Sequence, residues 1–137
     1  EQMAEKLNVS NLHIINSSGY HLDTSISPIF NKEYDCIGLI CAREVFSSNE
    51  INYLRNICTS NQWELIEIEH QDINSSLSFR TAMNGLTLPG LFIGSKKLNQ
   101  KPISEFALSN NIIFDSTSVS QFNLSGGSVH CLTNELF

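Results

Sequence analysis

The chain has 137 residues, of which 41% are apolar and 16% charged, and its formal net charge is −6. That length supports one domain with its own core, read here as spanning residues 1–137. The negative balance argues against nucleic acid or an anionic membrane surface as partner and suits a small cationic ligand.

The predicted elements begin with a short helix over Glu1–Leu7 and a strand over Leu12–Asn16. After the "SSG" turn, Tyr20–Phe30 partly alternates apolar and polar residues, which predicts a strand or extended segment. "DCIGLICA" contains the longest apolar run, Cys36–Ala42, far short of a membrane span and suited to a strand buried on both faces. Ser47 followed by Glu50 is a capping-box pattern, and Ile51, Leu54, Ile57 and Cys58 then recur at helical spacing, so a helix is predicted to about Ser60. "WELIEIE" alternates, with Leu65 outward and Ile66 and Ile68 inward, and predicts a strand. A polar loop follows through Asn84.

"GLTLPGLFIGS" predicts two short strands around Pro89-Gly90. Pro102 marks the start of a second helix whose Ile103, Phe106 and Ala107 face one way. Ile112–Ser116 is a predicted strand, and "GGSVHCLTNELF" a last one opened by glycines. The order is a repeated ββαβ unit, an α+β architecture in which hairpins feed crossover helices.

Of the four cysteines, Cys36, Cys41 and Cys58 fall on apolar strands or a helix face and read as core filler. No pair has zinc-site spacing, and the pattern is not a secreted disulfide framework, which places the protein in a reducing, cytoplasmic setting. Cys131 is different, because it follows Gly126-Gly127 almost at the last residue. A thiol becomes a useful nucleophile beside a group that favours the thiolate and can move protons, and histidine does both. His21 and Asp23 in "YHLDT" would share one face of a strand. Glycines let backbone approach a ligand closely, and Asp23 can hold a cation by charge-assisted hydrogen bonds. Cysteine, histidine and aspartate together suit nucleophilic attack on a planar cationic carbon, such as that of a guanidinium.

On "HLDT" and "GGSVHCLTN" the chain resembles the guanidine-modifying superfamily of arginine, agmatine and peptidylarginine deiminases, dimethylarginine dimethylaminohydrolases and amidinotransferases. "TAMNGLTLPG" is similar to that family's asparagine-containing segment before its last repeat. The resemblance implies a pentein fold, an α/β propeller of ββαβ units, with about half of the propeller in this chain. It implies that Cys131 attacks the guanidinium carbon, that His21 moves protons, and that Asp23, Asn84 and Gly127 line the substrate site. The function it implies is that of an arginine or agmatine deiminase-like hydrolase working through a thiouronium intermediate. An amidinotransferase, with an amine in place of water, is the alternative within the family. No metal or other cofactor is implied.

The family's further acidic residues precede its histidine, whereas here only Glu1 and Glu5 do. The chain therefore reads as a C-terminal portion, completed by a second chain or a further N-terminal half. A non-catalytic protein-binding module is the alternative of another class. A zinc site from His21, Asp23, His130 and Cys131 is weighed against the adjacency of the last two. On strand parity His130 faces away from Cys131 and reads as structural. His13 reads as a strand histidine and His70 as a loop residue. Lys96, Lys97 and Lys101 read as a solvated face.

Overall fold

A computed structural model describes residues 11–19, 21–69, 83–98, 100–125 and 127–133. The predicted helix over Glu1–Leu7 and most of the loop after Glu69 lie outside them. The strands are β1 (Ile26–Phe30), β2 (Cys36–Ala42), β3 (Glu64–Ile68), β4 (Leu86–Leu88), β5 (Leu91–Gly94) and β6 (Ile113–Ser116). The helices among the described residues are α1 (Ser48–Asn61), α2 (Lys101–Asn110) and α3 (Ser120–Leu124), with short 3-10 turns at Leu22–Thr24, Arg43–Val45 and His130–Leu132.

The strands make two three-stranded sheets, β1-β2-β3 and β4-β5-β6. In each, the first pair is antiparallel and the second parallel. A hairpin can close with a tight turn, whereas the parallel partner needs a crossover, and α1 and α2 supply it. The repeated ββαβ unit read from the sequence is thus present twice.

The first sheet is buried on both faces, which is why β2 is almost uninterruptedly apolar. Ile40 and Ala42 of β2 and Ile66 and Ile68 of β3 join Ile103 and Phe106 of α2 and Phe92 of β5 in one core. The opposite face carries Cys41, with Leu39 and Leu65 packed beside it against Ile51 and Leu54 of α1. Leu65 is therefore half-buried under α1 rather than outward.

The local signals act as expected. The Ser47 hydroxyl caps α1 by accepting from the Glu50 amide at 3.2 Å. Gly90 takes φ +73° behind Pro89, the conformation that a type II turn demands at its third residue. Both long helices stop on a left-handed residue, Gln62 after α1 and Asn111 after α2.

Two predicted strands are absent among the described residues. Leu12–Asn16 pairs with no strand among the described residues; it lies along α1 through His13 to Tyr53 (2.9 Å) and Asn16 to Glu50 (3.3 Å). The closing segment forms the 3-10 turn His130–Leu132, because the Thr133 amide and hydroxyl both return to the His130 carbonyl, at 3.0 and 2.8 Å. The short helix α3 carries no periodic apolar signal and was not expected.

The units meet along β1 and β4. The Gly90 amide donates to the Phe30 carbonyl at 3.1 Å, and the buried Ser27 hydroxyl donates to the Met83 carbonyl. This seam brings the chain entering β1 beside the chain entering β4.

Candidate active site

Asp23 stands just before β1 and Asn84 just before β4, at matching points of the two units. The segment at Asp23 is not a strand, so the same-face argument for His21 and Asp23 does not apply. It is a 3-10 turn held by its own hydroxyls: Thr24 Oγ1 donates to the His21 carbonyl at 2.6 Å and Ser25 Oγ at 3.2 Å. His21 is placed by this main-chain knot at the edge of the turn and is itself exposed.

Asn84 is fully buried and joins the two ends of the site. Its Nδ2 donates to Asp23 Oδ2 at 2.6 Å. Its Oδ1 accepts from the Cys131 amide at 3.3 Å and lies 3.2 Å from Cys131 Sγ. Its carbonyl accepts from the His130 amide at 3.2 Å. The structure thus gathers Asp23, Asn84 and Cys131, residues more than 100 positions apart at the extremes, into one hydrogen-bonded string.

Gly127 flanks Cys131. A Cβ there would lie 3.8 Å from the Cys131 Cβ, an ordinary contact, so the glycine leaves open room rather than relieving a clash within the chain. The approach is fixed by the buried Asn123, whose Nδ2 donates to the Gly127 carbonyl at 2.9 Å. Gly126 lies outside the described residues.

A cleft of about 250 Å³ opens at the Asp23 end of this string, lined by Asp23, Phe30, Tyr34, Gly85, Thr87 and His130 among others, while His21, Asn84, Gly127 and Cys131 are outside its lining. Phe30 and Tyr34 stack there at 5.1 Å. His130 therefore lines the same cleft as Asp23. Strand parity does not apply to it, because the Thr133 amide and hydroxyl draw the His130 carbonyl into a 3-10 turn. A larger hollow, about 460 Å³, lies along Asn16–Ser18 and Glu44–Ser47 and includes none of the candidate residues.

All four cysteines are free, and they divide sharply. Cys131 is exposed. Burial, then the Glu67 carboxylate, pushes the Cys41 thiol up to about 12. Burial, then Cys36, pushes Cys58 up to about 11. Burial also raises Cys36. A thiol so raised stays protonated and inert at neutral pH.

The folded state holds the Cys41 proton up to about pH 12, whereas the unfolded thiol releases it near 9. Its contribution is complete below pH 9 and lost as pH rises toward 12. Between pH 8 and 10.5, urea unfolding of the wild type should lose about 2 kcal/mol more than that of Cys41→Ala. Equal pH dependence in the two proteins would show that Cys41 is not shielded as described.

No group of three or more histidine, cysteine or carboxylate side chains capable of holding a metal occurs among the described residues. No helix among them is long and apolar enough to cross a membrane.

No protein-family model matches the chain, and no curated protein sequence is significantly similar to it. Among solved structures, the apo form of ArgZ, an arginine dihydrolase from the ornithine–ammonia cycle in cyanobacteria, superposes with a TM-score of 0.58 at 20% identity. The chain is similar in fold to part of an arginine dihydrolase. The match covers 86% of this chain and 17% of that one, so the chain spans about a sixth of its length. The mixed α+β arrangement, with two small sheets and a repeated unit, is consistent with part of a pentein fold.

Proposed function

We propose that this chain is the thiol-bearing part of a guanidine-modifying enzyme, its ββαβ units serving as blades of a pentein propeller. The observation that carries the reading is the string Asp23–Asn84–Cys131. It sets a carboxylate and an exposed thiol together at the seam of two units whose fold resembles part of an arginine dihydrolase.

In this reading Asp23 grips the nitrogens of a guanidinium, for which arginine is the first candidate. The Cys131 thiolate attacks the central carbon, forming a C–S bond. Ammonia departs as the C–N bond breaks, taking a proton delivered by His21, and leaves a thiouronium. Water then adds to the same carbon, one of its protons returning to His21 and the other passing to the released ammonia, and the C–S bond breaks. The products are a ureido compound, ammonium and the restored thiolate. An amine in place of water would make the enzyme an amidinotransferase. The remaining acidic groups of the site would come from a second chain or a further segment. The four free thiols support a cytoplasmic setting.

The test is labelling of the whole chain with 2-chloroacetamidine at neutral pH, read by mass spectrometry, with and without excess arginine or agmatine. Cys131 should be modified selectively and protected by the guanidino compound, while Cys41 and Cys58 stay unmodified. Slow labelling spread over all four thiols would overturn the enzyme reading and leave a protein-binding module in its place.

A further inference from the structure

We infer that Asn84 is a positioning residue, holding Asp23 and Cys131 at a fixed separation, and that its side chain does not touch substrate. This rests on the reading above, in which those two groups act on a guanidinium.

A carboxamide offers two N–H donors and one oxygen with two lone pairs. The orientation of this one is settled by chemistry. An ionised carboxylate only accepts, so the nitrogen must face Asp23, and the oxygen is left for Cys131. At 2.6 Å the bond to Asp23 Oδ2 has the short length of a charge-assisted pair. The Cys131 amide and thiol then take both lone pairs of the oxygen, at 3.3 and 3.2 Å. The one N–H left over belongs to a residue with 0% exposure, closed off from any ligand in the cleft.

The planar amide is thus a rigid spacer between a group at the entrance of the first ββαβ unit and one in the turn that follows the second. Its backbone is fixed as well, since its carbonyl accepts from His130. Asp23 Oδ2 is held by Asn84, which leaves Oδ1 to meet the ligand and aims it. A guanidinium offers its nitrogens in the plane and its carbon on the face, so carboxylate and sulfur must approach from set directions. Misplacement by about 1 Å can cost about 100-fold in such a reaction. Asparagine alone fits this position. Aspartate cannot donate to Asp23, glutamine is one methylene too long, and leucine has no polar atoms.

The experiment compares 2-chloroacetamidine with the neutral 2-chloroacetamide on the full chain, following Cys131 by mass spectrometry. The readout is the ratio of the two rates, which a general loosening of the protein would not change. The variants are Asn84→Ala, Asn84→Asp, Asp23→Ala and the double variant Asp23→Ala/Asn84→Ala. Each Asn84 variant should lower the ratio by about 10- to 100-fold. The double variant should lose no more than Asp23→Ala alone, because Asn84 acts through Asp23 and the effects of coupled residues do not add. Continued protection of Cys41 and Cys58 marks an intact fold. If Asn84→Ala exposes them, the near-isosteric Asn84→Asp decides. A wild-type preference for the amidine that survives Asn84→Asp, or losses that multiply in the double variant, would overturn the positioning role and leave the enzyme reading standing. A wild type with no preference for the amidine would overturn both.

Discussion

Asp23→Ala should cut the preference of Cys131 for 2-chloroacetamidine over 2-chloroacetamide by about 10- to 100-fold, the factor expected from a hydrogen bond to a charged group of about 1.5–3 kcal/mol. The rate with the neutral reagent should barely change. The two reagents share a leaving group and a reacting carbon and differ in the cation that a carboxylate can hold. Asp23 is only partly buried and lines the cleft, so one of its oxygens can meet a ligand while the other is bound by Asn84. Asp23→Asn separates charge from shape, because it keeps an acceptor of the same size without the charge. It should fall between the wild type and Asp23→Ala. Equal slowing with both reagents would mean that Asp23 shapes the loop around Cys131 and does not bind the cation.

The preference is also a test of how the site is assembled. Asp23 enters the first strand of one unit and Asn84 the first strand of the next. The repeat therefore does more than build two sheets. It delivers one polar residue from each unit to a common point, and the turn after the second unit brings Cys131 to the same place.

Most of the fold was legible in the sequence, and the reasons are local. Ser47 with Glu50, the apolar spacing of α1, Pro89-Gly90 and the alternation of "WELIEIE" each name their element through short-range physics. Two of the misreadings fall where side chains capture the backbone. Thr24, Ser25 and Thr133 pull "LDT" and "HCL" into 3-10 turns that look like strands when only apolarity is counted. Both turns carry candidate residues. His21, Asp23 and Cys131 could be nominated from residue type and from the family resemblance. The place of His130 in the cleft and the bridging role of Asn84 could not, because they depend on contacts between residues 47 or more positions apart.

Phe106→Ala should destabilise the protein by about 3–5 kcal/mol, the range for removing a buried aromatic ring. Against a total of about 5–15 kcal/mol for a domain, that is a large share. Phe106 is 2% exposed and belongs to the core that α2 forms with strands of both sheets. Its ring lies over β2 at Gly38, where a Cβ would come within 3.0 Å of Phe106 Cζ and of the Glu64 carbonyl. The flat patch at Gly38 and the ring above it are complementary, and alanine would leave a cavity that the strands cannot close without moving. Urea unfolding measures the loss directly. Ile103→Val, one turn away on the same helix face, should cost only about 0.5–1.5 kcal/mol and serves as the comparison. The loss should also reach the chemistry. The shared core includes Ile29 of β1 and Met83, the residue before Asn84, so it supports the entrances of both units where Asp23 and Asn84 sit. Phe106→Ala should therefore weaken the amidine preference of Cys131 at a urea concentration where the wild type keeps it. A destabilisation below about 1 kcal/mol would be far less than a buried aromatic ring contributes. It would show that α2 does not wedge the two units together, and the seam at Ser27 and Gly90 would then have to hold the site alone.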